Sequence, residues 1–396
     1  VLSMPPLPAL TTVAQRMATG LDSFALLAIP FFVLAGQLMH RGGAARRLVD
    51  LAKAILGRLP GGLAWVNILA AMLFGAVSGS AVAAASAIGG VMAPRMEEEG
   101  YDRDVAAAVN VTAATTGLVI PPSNILIVYS LAAGGVSIAA LFLAGYLPGL
   151  LTGAALMAVA GVVARRRGVP TDAGVPAREV ARRLVAALPS LLLLVVVIGG
   201  IVVGVFTATE AAAVAVLYAA ILARLDGGLG WRDLYRVLVE SVETTAVVLL
   251  LVATSMAMAW ALAYASIPQR VAEALLATTD SPILILLIIN VVLLAVGTVM
   301  DMTPAVLIFT PIFLPVAADL GMDPVHFGIV LVMNLCVGLC TPPVGSVLFV
   351  GCGVAGTSIE KVTRPLLPFL AAMVVSLLLV TYWPALSLWL PSVFGY

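Results

Sequence analysis

The chain has 396 residues, of which 62% are hydrophobic and 10% charged. A soluble domain carries about 25% charged residues, so the composition excludes that class and indicates a polytopic membrane protein. Its 20 basic and 20 acidic residues exclude a nucleic-acid footprint, and Cys336, Cys340 and Cys352, with no matching His or Cys set nearby, exclude a disulfide framework and a metal cluster.

In chain order, the apolar part of residues 1–13 is too short to cross a bilayer, and a further helix before it is expected. Residues 24–39 read as the first spanning helix. Residues 41–58 interleave Arg46, Arg47, Asp50 and Lys53 with Leu48, Val49, Leu51 and Ile55, which predicts an amphipathic helix lying in the interface. The apolar run 61–94 is interrupted at Ser78-Gly79-Ser80, and each flank is too short to cross alone. The spacing predicts a re-entrant hairpin with that tip; the competing reading is one long helix packed through small residues. A helix over about 106–133 follows, broken at Pro121-Pro122. Each proline lacks an N–H and the second forces its predecessor out of the helical region, so the helix stops and restarts, with Pro122 suited to the first position of the new half. Lipid cannot satisfy the groups freed by the break, which must therefore be buried in protein or line a polar cavity.

Residues 138–163 read as a plain span, 165–183 as a polar loop and 184–206 as a span. Thr207-Ala208-Thr209-Glu210 reads as a capping box opening a helix over 211–223, which gives Glu210 a capping role; the competing reading is an intramembrane carboxylate. Residues 234–264 are an amphipathic start followed by a span, and 266–279 mirror the first interfacial segment. A second hairpin is expected over about 282–317, with Thr298-Val299-Met300-Asp301-Met302-Thr303 at its tip. A second broken helix over about 325–355 and a last span over 366–390 complete the chain.

The second half repeats the first at an offset of 221 residues. Gly338-Leu339-Cys340-Thr341-Pro342-Pro343-Val344-Gly345 answers Gly117-Leu118-Val119-Ile120-Pro121-Pro122-Ser123-Asn124, and Gly356-Thr357-Ser358-Ile359 answers Gly135-Val136-Ser137-Ile138. The expected organisation is a first repeat over 1–164, a connecting loop and scaffold helices over 165–236, and a second repeat over 237–396. Placing 165–183 in the cytoplasm and alternating the spans puts 18 of the 20 basic residues inside, leaving Arg16 and Arg270 outside. The first hairpin then enters from the cytoplasm and the second from outside, so the repeats are inverted, an arrangement that permits alternating access.

A broken helix in corresponding positions of two halves points to a transporter's binding site. At each break one half-helix ends in free carbonyls, which attract a cation, and the next begins with free N–H groups, which attract an anion. Oxygen ligands of low charge suit Na⁺: Ser78, Ser80, Gly117 and Ser123 in the first half, Thr298, Asp301, Gly338 and Thr341 in the second, the two glycines through their carbonyls. Asp301 is the one carboxylate at a tip, and its competing role is a helix cap. The N–H ends at Ser123-Asn124 and Gly345-Ser346 would take an anionic solute, most simply a carboxylate. Helix-to-helix hydrogen bonding is the competing role of the serines.

Ser78-Gly79-Ser80, Ile120-Pro121-Pro122-Ser123, Phe206-Thr207-Ala208-Thr209-Glu210-Ala211-Ala212-Ala213, Met300-Asp301-Met302-Thr303-Pro304 and Thr341-Pro342-Pro343-Val344-Gly345 resemble the large membrane subunit of tripartite ATP-independent periplasmic (TRAP) transporters. The resemblance covers about 21–391 and departs from the usual pattern at Ala84, Leu118 and Asn124. It implies an all-α polytopic protein of the elevator type in the bacterial inner membrane, importing an organic acid with Na⁺ as coupling ion and no other cofactor. It also implies a small membrane subunit and a periplasmic solute-binding protein as partners, and a helix before Leu21. The alternatives are an inverted-repeat carboxylate transporter without a binding protein, a channel, and a hydrolase using Ser78. The hydrolase lacks a base, since His40 and His326 fall at membrane edges and no His-Glu-x-x-His pattern exists.

Overall fold

The computed structural model describes residues 5–59, 61–167, 176–226 and 229–396, and among these there is no strand. Among the described residues, seven helices are long and apolar enough to cross a membrane, or eight if one bent pair is counted as a span. The protein is therefore an all-α polytopic membrane protein.

Helix α1 (Pro6–Leu21) starts with Pro6, whose missing N–H costs nothing at a helix N-terminus, and packs along α11 (Trp231–Tyr264). The contact is close: a methyl on Gly20 would stand 2.6 Å from Met256 Cγ. The apolar part of residues 1–13 is expected to be too short to cross a bilayer, and α1 is not among the helices long and apolar enough to do so. A 3₁₀ turn (Phe24–Leu27) leads into α2 (Ala28–Arg41), which packs on α10 (Ala208–Leu225) and α11.

The amphipathic helix α3 (Ala44–Leu56) lies against α4 (Gly62–Ser78) and α9 (Ala177–Val202), with Leu48, Val49 and Ala52 fully buried. Its apolar face is thus covered by protein. Its polar face is tied down by Arg47–Asp226 at 2.6 Å, Lys53–Glu99 at 3.4 Å and Asp50–Arg95 at 3.7 Å. These pairs are part-exposed, so they fix position more than they stabilise.

A two-residue turn, Gly79-Ser80, joins α4 to α5 (Ala81–Glu98), and the two helices pack on each other and on α6 (Arg103–Val119). Gly79 takes φ 62°, a left-handed turn that a side chain would oppose, and the Ser80 hydroxyl caps α5 through the Ala83 N–H at 3.2 Å. A long continuous helix is thereby excluded. After α6 the chain bends by 52° into α7 (Asn124–Ala132). The restart falls two residues beyond Pro122, the expected first position; the intervening Pro121–Pro122 peptide is cis, and Ser123 is extended.

Helix α8 (Ile138–Arg166) is a span. The expected polar loop 165–183 is helical at both ends, because Arg178, Arg182 and Arg183 open α9; 168–175 lie outside the described residues. The capping box is present: the Glu210 carboxylate accepts from the Thr207 N–H at 2.8 Å and the Thr207 hydroxyl accepts from the Glu210 N–H at 3.3 Å. Helix α12 (Ile267–Thr278) packs on α14 (Met302–Asp319), which follows α13 (Pro282–Gly297) across the 298–301 turn. Helix α15 (Pro324–Leu339) ends before Pro342–Pro343, also cis, and α16 (Ser346–Ala355) restarts after it. The last span is α17 (Ile359–Tyr382), earlier than expected. It stops at Trp383-Pro384, because proline cannot continue the hydrogen-bond ladder, and a short α18 (Ala385–Val393) follows.

The two halves meet at equivalent positions. The Cys336 thiol on α15 donates to the Thr115 carbonyl on α6 at 3.4 Å, and these residues are 221 apart. In each half a glycine before the tip meets a glycine before the break. A methyl on Gly117 would lie 2.3 Å from Gly75 Cα, and one on Gly338 would lie 2.5 Å from Gly297 Cα. Only glycine permits such a backbone crossing, and both crossings hold a tip beside a break.

Candidate functional site

Both tips and both restarting helices open onto one cavity of about 550 Å³. Ser78, Gly79 and Ser80 line it from the first tip, Asp301, Met302 and Thr303 from the second, Asn124 from α7 and Ser346 from α16. The facing wall comes from α2 and α11, with Gln37, His40, Arg41, Glu240 and Thr244. Backbone contacts seat the first tip against that wall, since a methyl on Gly36 would stand 2.8 Å from the Ser78 carbonyl oxygen.

In the first half the Ser78 hydroxyl donates to the Ser80 carbonyl at 3.3 Å and accepts from the Ser80 N–H at 3.4 Å, so the tip closes on itself. The Asn124 side-chain carbonyl is buried with no hydrogen-bond partner among the described residues. A buried acceptor in that condition calls for a donor or a cation. Ser123 is buried behind the cavity, and its hydroxyl donates back to the Leu118 carbonyl. Gly117 is also buried, within α6; Pro121, four residues on, offers its carbonyl no N–H.

In the second half the tip and the break are joined directly. The Gly345 N–H donates to the Thr298 carbonyl at 3.3 Å, and the Ser346 hydroxyl donates to Asp301 Oδ1 at 3.3 Å. Asp301 precedes α14 but makes no capping hydrogen bond, so its carboxylate faces Ser346 and the cavity instead. The Thr298 and Thr341 hydroxyls are bonded within their own helices, to Ala295 and Val337 at 2.8 and 2.7 Å. The Gly338 carbonyl accepts from the Thr341 N–H at 2.9 Å, where sequence reasoning left it free. Of the residues singled out from sequence, Ser78, Ser80, Asn124, Asp301 and Ser346 line the cavity. Gly117, Ser123, Thr298, Gly338, Thr341 and Gly345 are not among its lining residues.

Sequence reasoning missed the facing wall. Arg41 Nη2 meets Glu240 Oε1 at 2.9 Å, an ion pair across 199 residues of chain that joins α2 to α11 at the cavity. Arg41 is the one arginine or lysine lining the cavity, and with Glu240, Asp301 and His40 it supplies the titratable groups there. Among the described residues no three His, Cys, Asp or Glu side chains gather as a transition-metal site would require. The oxygen-rich, singly charged surroundings of Asp301 suit a monovalent hard cation better.

Residues 1–386 match the family described as "Tripartite ATP-independent periplasmic transporter, DctM component". The chain is 55% identical over 395 residues to the uncharacterized protein YgiK of Salmonella typhimurium, covering 100% of this chain and 91% of that one. It is 42% identical over 389 residues to the C4-dicarboxylate TRAP transporter large permease protein DctM of Pseudomonas aeruginosa, covering 97% and 90%. In fold it resembles the Alcanivorax borkumensis YdaH transporter, with a TM-score of 0.68 at 16% identity, covering 95% of this chain and 88% of that one.

Proposed function

The chain belongs to the DctM component family of tripartite ATP-independent periplasmic transporters, as a large permease, and from that premise we propose that it imports a small organic acid together with Na⁺. The observation that carries the proposal is the single cavity onto which two tips and two helix N-termini open. The N-termini of α7 and α16 present backbone N–H groups and a positive dipole end, which favour a carboxylate. Asp301 and the unpaired Asn124 carbonyl are the acceptors a hard cation would take. Na⁺ beside Asp301 would cancel the charge that otherwise opposes an anionic solute. The solute would then meet a site that no longer repels it, and this is the physical basis of coupling here.

The Pseudomonas relative's name makes a C4-dicarboxylate the first solute to try. The remaining parts of the proposal come with the family. A small membrane subunit would complete the permease, a periplasmic binding protein would deliver the solute at the outer face, and the assembly would sit in the inner membrane with inverted repeats working as an elevator. The contact between Thr115 and Cys336 and the paired glycine crossings support the repeat reading.

The test is uptake of radiolabelled succinate into proteoliposomes holding the permease and its small subunit, with the binding protein and Na⁺ supplied outside. Uptake that needs both and saturates is expected. Na⁺-independent uptake of any organic acid in a screen would overturn the coupling, and uptake without the binding protein would favour a stand-alone carboxylate transporter.

A further inference from the structure

A second cavity, of about 200 Å³, lies at the opposite end of α6 from the break and shares no residue with the first. Its floor is apolar and fully buried, including Val105, Val109 and Phe369. Its rim is polar: Asp102 and Arg167 form an ion pair at 3.1 Å with each side chain about half exposed, and Tyr101 stands beside them. The Tyr101 hydroxyl is buried and its O–H has no acceptor among the described residues; the Ala64 N–H beside its oxygen donates chiefly to the Gly61 carbonyl at 3.0 Å. A buried hydroxyl left in that state costs free energy that a ligand's acceptor would recover.

The order of these groups along α6 gives the ligand its orientation. Asp102 caps the helix at the face where Arg95, Arg103 and Arg165 to Arg167 cluster, the cytoplasmic face by the charge bias. Val105 and Val109 then lie about 5 and 10 Å further along the helix toward the bilayer centre. Charge at the interface with apolar surface descending to membrane depth is the profile of a lipid, not of a free anion. The rim also narrows the headgroup. A bare anion would meet Asp102 and a bare cation would meet Arg167, whereas a zwitterion answers both. At the equivalent positions of the second half stand Met322 and Asp323, and Met322 has no hydroxyl, so the site occurs once per chain.

We propose that this cavity holds one zwitterionic phospholipid of the ethanolamine class from the cytoplasmic leaflet. Its phosphate accepts from the Arg167 guanidinium and the Tyr101 hydroxyl, its ammonium donates to Asp102, and the first part of one acyl chain lies against the apolar lining of the pocket. A choline headgroup has no N–H to give Asp102, and a glycerol headgroup has no positive charge. The chain would therefore bind ethanolamine lipid in preference to both.

The test uses the full chain, delipidated in detergent. Palmitoyl-oleoyl phosphatidylethanolamine, the corresponding choline and glycerol lipids, and free phosphoethanolamine are each added back. Retained lipid is read by native mass spectrometry and Tm by thermal melting. One retained ethanolamine lipid per chain is expected, with a larger rise in Tm than from the other three additives. Arg167→Gln and Tyr101→Phe should each weaken retention by about tenfold. Tyr101→Phe keeps the ring and its packing, so it remains informative if Arg167→Gln melts early. Equal retention by wild type and Tyr101→Phe, or an equal rise in Tm with the glycerol lipid, would overturn the assignment. An equal effect of free phosphoethanolamine would show that no acyl chain is bound and would also overturn it.

Discussion

At the scale of single residues, Asp301 carries the largest consequence. Its carboxylate sits at a helix start without capping it and is held by Ser346 at 3.3 Å, so its role lies in the cavity rather than in α14. On the proposed coupling, Asp301→Asn keeps the volume and removes the charge, and it should raise the Na⁺ half-saturation of uptake by roughly tenfold. Ser80→Ala removes a neutral oxygen that already caps α5, so its effect should be a few-fold and accompanied by a small loss of stability. Uptake measured against outside Na⁺ checks both; a wild-type Na⁺ curve for Asp301→Asn would return that residue to a structural role. The Arg41–Glu240 pair was out of reach of sequence reasoning for a simple reason. Each residue sits at the polar end of its helix, where a charge is unremarkable, and only the fold brings them together.

At the scale of elements, the local signals that were legible are those in which a residue type forces a backbone event. Consecutive prolines must interrupt a helix, so both breaks could be read from the chain, although the restart lies at Asn124 rather than Pro122 because the cis pair and Ser123 occupy the corner. The Ser-Gly-Ser tip and the Thr207 capping box were legible for the same reason. Tertiary support was not: α1 is held by α11 despite its polar residues, and α9 packs on α3, where the Arg183 guanidinium donates to the Asp50 carbonyl at 3.2 Å. The glycine crossings yield a prediction at this scale. Gly117→Ala and Gly338→Ala each drive a methyl into opposing backbone and should cost about 1–3 kcal/mol in unfolding experiments in detergent. Gly90→Ala, where a methyl would meet nothing within 4 Å, should be neutral or slightly stabilising. Equal stability of all three variants would deny that the crossings matter.

At the scale of the whole molecule, the charge bias predicts an orientation that can be tested directly. A cysteine at Arg178 should react with an impermeant thiol reagent only from the cytoplasm, and one at Asp319 only from outside; labelling of both from one side would remove the inverted arrangement. Asp22, Glu273, Asp280, Asp319 and Asp323 are exposed, and the topology expected from charge turns them outward. A binding protein docking there by charge should lose affinity as salt rises, measurable as Kd against ionic strength. Docking unaffected by salt would point to an apolar contact surface instead.

Helix α11 has 34 residues and so measures about 51 Å, against a hydrocarbon core of about 30 Å. The stretch after Glu243, residues 244–264, is about 31 Å by itself and ends at the stacked Trp260 and Tyr264 rings, 5.8 Å apart. A carboxylate at one end and an aromatic anchor at the other would thus gauge the membrane, with the first thirteen residues outside it as a lever. A thinner bilayer would have to tilt that gauge, and the lever would swing Glu240 relative to Arg41 at the cavity wall. Lipid chain length would then act on this protein as a mechanical setting. Transport by proteoliposomes made from a series of acyl lengths should peak where the hydrocarbon thickness matches 244–264 and fall on both sides.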